Sequence, residues 1–474
     1  MCAGLGALIP ILIVLLSRLA VATVCCVLVY GLLIVWARRQ CGRWLGLLPM
    51  VSVLWIIYYP VRLLRIELDR NDPLLHPAVR RATDGDLTWV WVISTAGLAM
   101  LLFGAWVVGQ VRLVRAAKID HLRRPAFTTL SIVGLAVALG TLTFHVSSGI
   151  LSNVGPIALI GLAGLGFLDA QRGRTSYRTV SLVAIALLVG ALAGFKELAT
   201  LPAIAWGIGL VAGRRSSIRP RTVLAVAAIA LFAYIGVAGQ RIARPLGEPT
   251  DLPHAAFNSL TRYDLESGVV HKNGNHGWGI IGNVASGLSR RSSGVEALVI
   301  LRETVPNRVN YQGGRTLVLP LLTVFPGSKD FTGDTPFSTL SLGRYYSQNF
   351  YSLNPGTDPS SQAITLSGDL YLNFGIVGVI VGLFLIGTLV GAFDRRYPPT
   401  SAFSAGLLAY AGTQAIGLER NVAYVLVTVF IRLAIASVAY WVLVGAWRNR
   451  GRVSVAGRQI TVAQLMTTSS GHSA

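Results

Sequence analysis

Long apolar runs recur from one end of this 474-residue chain to the other, and they leave little choice of architecture. A helix needs about 20 consecutive apolar residues to cross the hydrocarbon core of a bilayer. Runs of that order fall at 45–64, 89–109, 126–146, 151–169, 179–195, 198–212, 222–240, 370–392, 401–417 and 422–446. A further block, Ala3 to Trp36, is interrupted only by Arg18 and reads as a hairpin or as one long helix. Charged residues make up 13% of the chain, against about 25% in a soluble domain. The expectation is an all-α polytopic integral membrane protein with about 11–12 transmembrane helices, since backbone groups in lipid must be satisfied within the segment. A soluble domain and a disordered tail are excluded.

The charge balance is strongly basic, with 41 Lys and Arg against 20 Asp and Glu, a net charge of +21. In a soluble chain that excess would point to nucleic acid. Here it sorts by position. Alternate connections, at 37–44, 110–125, 169–178, 213–221, 394–400 and 447–458, hold 21 of the 41 basic residues against only Asp120, Asp169 and Asp394. That set carries +18 and the rest of the chain only +3. The positive-inside rule places the first set in the cytoplasm, so the basic excess is a topology signal and no nucleic-acid partner is expected.

The opposite side then receives 65–88 and a segment of 126 residues, 241–366. The implied organisation is an N-terminal transmembrane bundle over 1–240, an extracytoplasmic loop or cap over 241–366, a C-terminal bundle over 367–447 and a cytoplasmic tail over 448–474. The four cysteines, Cys2, Cys25, Cys26 and Cys41, all precede that cap, which therefore holds no disulfide and no CxxC metal site. Ionisable residues at membrane depth are costly and default to a functional reading; Arg432, well inside the last run, is one. Arg62 and Arg65, at the end of the 45–64 run, are explained by snorkelling to the interface.

Within the cap, Val295, Leu298, Val299 and Arg302 recur at helical spacing and predict an amphipathic helix ending before Pro306. Arg290, Arg291, Arg302, Arg308 and Arg315 crowd into 26 positions. A solvated basic face would leave that pattern. So would a diphosphate site, because the guanidinium fork matches phosphate oxygens in pairs. Tyr345, Tyr346, Phe350 and Tyr351 follow as candidates for stacking on sugar rings or for an interfacial aromatic belt. Gly375 and Gly378 would serve close helix packing.

Four elements stand in a fixed order: Arg291; Gly313-Gly314-Arg315-Thr316; Phe325-Pro326-Gly327-Ser328-Lys329; and Ser367-Gly368-Asp369-Leu370-Tyr371-Leu372-Asn373-Phe374-Gly375. Together they resemble the bacterial O-antigen polymerase family (Wzy-type, oligosaccharide repeat-unit polymerases), over about 290–380. The chain departs from that family's pattern in having Asp369 where Glu is usual, and in lacking the tryptophan of the Pro-rich element.

The resemblance implies a glycosyltransferase of the bacterial inner membrane. It would move a glycan from undecaprenyl diphosphate to another lipid-linked repeat unit at the outer face, with no cofactor and no metal. Its partners would be the undecaprenyl-diphosphate-linked oligosaccharide and membrane lipids, with a chain-length regulator and a flippase nearby. On that reading Asp369, or else Glu303, steers or deprotonates the acceptor hydroxyl. Arg291, Arg302, Arg315, Lys329 and Arg344 bind diphosphate, and Tyr371 and Asn373 line the substrate site. Asp369 pairing with a loop arginine is the alternative.

Three rival readings stay open. Glu67-Leu68-Asp69 with Asp72 would suit a divalent metal in a GT-C type polyprenyl-phosphate-sugar transferase. An O-antigen ligase would share the donor and differ in product. A polysaccharide transporter or flippase would need a polar pathway, for which Arg432 is the main feature.

Overall fold

In the computed structural model the described residues are 30–31, 35–36, 45–68, 70, 75–110, 124–143, 157–192, 196–213, 294–322, 342–351, 364–415, 422, 434 and 438. All regular structure among them is helical. The helices are α1 (Leu47–Ile56), α2 (Arg62–Leu68), α3 (Pro77–Arg81), α4 (Asp84–Gln110), α5 (Arg124–Thr143), α6 (Ile157–Arg172), α7 (Tyr177–Leu192) and α8 (Lys196–Gly213). After the gap come α9 (Gly294–Thr304), α10 (Arg315–Leu322), α11 (Leu342–Phe350), α12 (Leu366–Arg396) and α13 (Ala402–Ala415).

Three stretches are long and apolar enough to cross a membrane: Leu47–Glu67, Asp84–Gln110 and Leu366–Arg396. The chain is an α-helical membrane protein. The apolar runs at 126–146, 151–169, 179–195, 198–212 and 401–417 each coincide with one of the remaining helices. The run at 222–240, most of 422–446 and of 3–36, the tail 448–474 and Arg432 lie outside the described residues.

Glycine sets how closely the helices pack, because without a side chain two backbones can touch. On α4 and α12, a Cβ at Gly104 would strike the Phe384 carbonyl and one at Gly387 the Leu101 carbonyl, while Gly391 sits on Ala105. Gly209 and Gly213 do the same for α8 against Ala163 and Phe167 of α6. Buried polar groups find partners across these contacts: Trp55 Nε1 donates to the Ser94 carbonyl at 3.1 Å, and the Tyr30 hydroxyl to Thr95 Oγ1 at 2.9 Å.

The two described acids of the basic connections are both consumed locally. Asp394 accepts from the Leu47 and Leu48 amides at 2.7 and 2.8 Å, capping the start of α1. Asp169 pairs with Arg124 at 2.8 Å, and Arg124 also donates to Thr179 at 2.7 Å. One carboxylate thus joins α1 to α12, and one arginine joins α5, α6 and α7.

Two helices are interrupted. Pro60 lacks an amide hydrogen and its ring would meet the carbonyl four residues back. The chain widens there into a π-helical turn, Ile57–Val61, between α1 and α2. In α12 the break is Gly375, at φ 64° and ψ −152°, a region open in practice only to glycine. In a straight helix positions 370 and 382 would stand about 18 Å apart, yet a Cβ on Gly382 would meet the Leu370 side chain and one on Gly378 the Leu370 carbonyl. The segment 366–374 therefore folds back along the start of 376–396. The apolar run at 370–392 is not one straight rod.

The amphipathic surface helix expected before Pro306 is corrected. Helix α9 ends where predicted, but Gly294 through Leu301 is buried on every side, and only Arg302 and Glu303 reach the surface. A helix apolar all round belongs in an interior. The snorkelling expected of Arg62 is corrected too: it is 3% exposed and pairs with Glu296 of α9. The aromatic cluster of α11 is a core element, with Tyr345 7%, Tyr346 1% and Phe350 5% exposed.

Candidate functional site

The break at Gly375 leaves the last carbonyls of 366–374 without helical partners, as at any helix end. The loop 310–314 supplies what they need. Gln312 N donates to the Leu372 carbonyl at 3.0 Å and Gly313 N to the Asn373 carbonyl at 3.1 Å. Gly314 N then donates to Asn373 Oδ1 at 2.9 Å. Gly313 and Gly314 adopt φ of 56° and 92°, which carry the loop through this contact and into α10.

Asp369 lies at the centre of the joint and is fully buried. Its Oδ1 accepts from Thr316 Oγ1 at 2.6 Å, the Tyr346 hydroxyl at 3.2 Å and Asn373 Nδ2 at 3.3 Å. Its Oδ2 accepts from Val422 N at 2.9 Å. Asn373 Nδ2 also bonds Thr316 Oγ1 and the Asp369 carbonyl. At the head of the helix, Thr365 takes a positive φ of 63° and its hydroxyl accepts from Gly368 N. The Tyr59 hydroxyl bonds Ser367 and, at 3.4 Å, Thr365. One carboxylate thus ties together α10, α11, α12 and Val422, four segments far apart in sequence. Its partners are hydroxyls and amides, and no arginine pairs with it among the described residues.

The cationic candidates divide. Arg315, the first residue of α10, is exposed and forms no ion pair among the described residues. The adjoining loop and helix break carry two half-exposed rings, Tyr311 at 45% and Phe374 at 48%; Tyr311 lies against Gly375, and Phe374 against Gly314, the residue before Arg315. Arg302 is already engaged. Its Nη1 donates to the Gly85 carbonyl at 2.9 Å and lies 3.3 Å from Asp86. Its guanidinium covers the Trp89 ring at 5.2 Å, a cation–π contact. Trp89 meets Tyr371 edge-on at 5.1 Å, and Tyr371 meets Tyr311 at 6.3 Å. An aromatic row therefore runs from Arg302 to the loop that carries Arg315.

Glu303 points away from this row, half exposed and 3.9 Å from Arg81, and does not join Asp369. Arg291 and Lys329 lie outside the described residues, as do Asp69 and Asp72; of Arg344 only the backbone, within α11, is described. Among the described residues no group of three or more His, Cys, Asp or Glu gathers in a metal-binding arrangement.

Sequence reasoning passed over several of these residues. Thr316 stands inside one of the four ordered elements but carried no role; Tyr346 was expected to stack on sugars or to join an interfacial belt, not to bond Asp369, and Trp89 and Tyr311 had no positional signal. Glu296 did have one, being an acid in the apolar run Val295–Leu301, where a charge requires a partner. That partner is Arg62. Beside the pair, the Tyr351 hydroxyl is pushed above its ordinary range, first by burial and then by the Glu296 charge. No family model, no curated protein and no solved structure matches the chain.

Proposed function

We propose that the chain is a polymerase of bacterial surface polysaccharide at the outer face of the inner membrane. It transfers a glycan from undecaprenyl diphosphate to another lipid-linked repeat unit. The observation that carries this reading is the docking of the Gly313–Thr316 element onto the Asp369–Gly375 element. Those are two of the elements on which the family resemblance rests, and at their contact Arg315 is exposed and, among the described residues, forms no ion pair. The basic connections face the cytoplasm on this reading, and the cap carrying α9, α10 and α11 faces outward.

In the reaction the acceptor hydroxyl oxygen bonds to the anomeric carbon as the carbon–oxygen bond to the lipid diphosphate breaks. The bonding electron pair leaves with the lipid diphosphate, and an oxygen of that leaving group takes up the hydroxyl proton. Arg315 neutralises the charge that develops on the diphosphate, with Arg291, Lys329 and Arg344 as further cations. Fixed cations of this kind act where charge develops and need no reorganisation. Tyr311 and the partly buried Trp89 offer ring surface to sugars, with the buried Tyr371 packed between them. Arg302 serves by holding Trp89. Asp369, with each oxygen already accepting hydrogen bonds, positions the loop rather than receiving the proton.

The test is elongation by the purified full-length chain, in detergent, of lipid-linked repeat units extracted from a strain lacking this gene. Longer lipid-linked products are expected, resistant to chelators, with Arg315→Ala slower by about 100-fold, the effect of removing one transition-state donor. Products on lipid A would make it a ligase. Lipid movement across liposomes without new glycosidic bonds would refute the proposal.

A further inference from the structure

The connector between α6 and α7 is a strongly charged surface that the mechanism above does not use. From 170 to 178 it holds Arg172, Arg174 and Arg178 and no acid. All three arginines are exposed, and none forms an ion pair among the described residues. The acid that precedes them, Asp169, is 1% exposed and already paired with Arg124, so it does not neutralise them. The turn itself is fixed. Gly173, at φ 70°, donates its amide to the Ala170 carbonyl at 3.2 Å, and Ser176 N donates to Asp169 Oδ2 at 3.4 Å. Three guanidinium groups are thus held at one end of a helix pair, in a connector with no free carboxylate.

From that end α7 runs on as a helix with two unlike faces. One face, with Val183 and Ala186, is buried against Leu162 of α6. The other carries Tyr177, Val180, Ile185 and Leu188, which are 74%, 49%, 49% and 49% exposed. At 3.6 residues per turn these four share one side of the helix. From Tyr177 to Leu188 the stripe is about 16 Å long, which matches one leaflet, half of a hydrocarbon core about 30 Å thick. Tyrosine is enriched where membrane meets water, and Tyr177 stands where the stripe meets the arginines. Arg178 Nε donates to its hydroxyl at 3.1 Å, and the guanidinium lies 5.7 Å from its ring centre.

A cationic head above an apolar stripe one leaflet long matches a phospholipid in both chemistry and length. The guanidinium fork pairs with phosphate oxygens, and the stripe packs along an acyl chain. A zwitterionic headgroup would set its own cation against the arginines, whereas an anionic one brings none. A soluble anion would leave the stripe without a role.

We propose that the Arg172–Arg178 connector and the exposed face of α7 form a binding site for a phospholipid with an anionic headgroup. Its phosphate sits among the three guanidinium groups and one acyl chain lies along Tyr177–Leu188. The site stands apart from the polymerase reading and does not depend on it.

The experiment uses the full-length chain in phosphatidylcholine nanodiscs containing a minor share of phosphatidylglycerol. The probe is phosphatidylglycerol with a photoactivatable acyl chain, and phosphatidylcholine with the same chain is the reference. Labelled peptides are mapped by mass spectrometry, with thermal unfolding measured in parallel. In the wild type the anionic probe is expected to label 177–188 at least about tenfold more than the reference. Each of Arg172→Gln, Arg174→Gln and Arg178→Gln should lower that excess by up to about fivefold, the factor for one basic residue at a membrane surface. The triple variant should be labelled equally by the two lipids. The three positions are exposed, so the unfolding temperature should stay at the wild-type value; should the triple variant unfold early, the single variants carry the same comparison. Equal labelling in the wild type, or an excess that survives the arginine changes, overturns the site. An excess abolished by inorganic phosphate overturns the lipid assignment and makes the connector a site for soluble anions.

Discussion

Removing the Asp369 carboxylate tests whether that group holds the joint between α10, α11 and α12 together. Asp369→Ala deprives Thr316, Tyr346 and Val422 of their acceptor, at 2.6, 3.2 and 2.9 Å in the wild type. All three lie in the interior. Each buried donor left unsatisfied costs about 1–3 kcal/mol. Because the three share one carboxylate, the low end applies, and the total is about 3–5 kcal/mol. Asp369→Asn is milder: its oxygen still accepts from Thr316 and Tyr346, but its amide then faces the Val422 amide, donor against donor, at about 1–3 kcal/mol. At about 2 °C per kcal/mol for a large domain, the alanine variant should unfold about 6–10 °C lower and the asparagine variant between it and wild type. The assay is thermal unfolding of the full chain in detergent, followed by tryptophan fluorescence. Adding Thr316→Val to Asp369→Ala should cost less than the two singles together, because the second change removes a donor the first has orphaned. Strict additivity, or an alanine variant within a degree of wild type, would refute the argument.

Four further outcomes follow. Gly375→Ala forces a Cβ into a conformation only glycine adopts; the variant should lose elongation and expose the 312–314 amides to faster hydrogen exchange. Asp394→Ala removes both acceptors at the start of α1 and should lower stability by about 1–2 kcal/mol, with Asp394→Asn between it and wild type in a melting series. Arg302→Ala should raise the acceptor KM a few-fold, from a cation–π loss of about 0.5–1 kcal/mol, and leave kcat nearly intact, the opposite of Arg315→Ala. Burial lowers the pKa of His76, with Glu303 opposing and Arg81 and Arg80 adding to the shift, and its Nδ1 accepts the Ala78 amide that starts α3. The neutral form is favoured by folding, so this contribution is whole above about pH 6.5 and is lost as the pH falls below that value. The protection of the 78–81 amides, relative to their intrinsic exchange rates, should fall on acidification in the wild type and not in His76→Asn, which caps without titrating.

What the sequence discloses and what it withholds divide along a physical line. Helix positions are legible because about 20 apolar residues in a row admit one solution in lipid, and the runs at 45–64 and 89–109 reappear as helices within a few residues. The family resemblance implied that 313–316 and 369–375 belong to one site, but motif order carries no geometry. Nothing in the letters says that Gly375 breaks the helix rather than easing its packing. Yet that break frees the Leu372 and Asn373 carbonyls to receive the 312–313 amides. Once the loop is docked there, Thr316 donates to Asp369, and the carboxylate expected to face a substrate hydroxyl is taken up by the protein itself. The same logic moves Arg302 from diphosphate to the Trp89 ring and Arg62 from the lipid interface to Glu296. Long polar side chains are the least legible part of such a chain, because several partners lie within their reach and only the fold decides among them. Glu296, an acid set in an apolar helix, drew no reading from the sequence, and only the fold supplies its partner, Arg62.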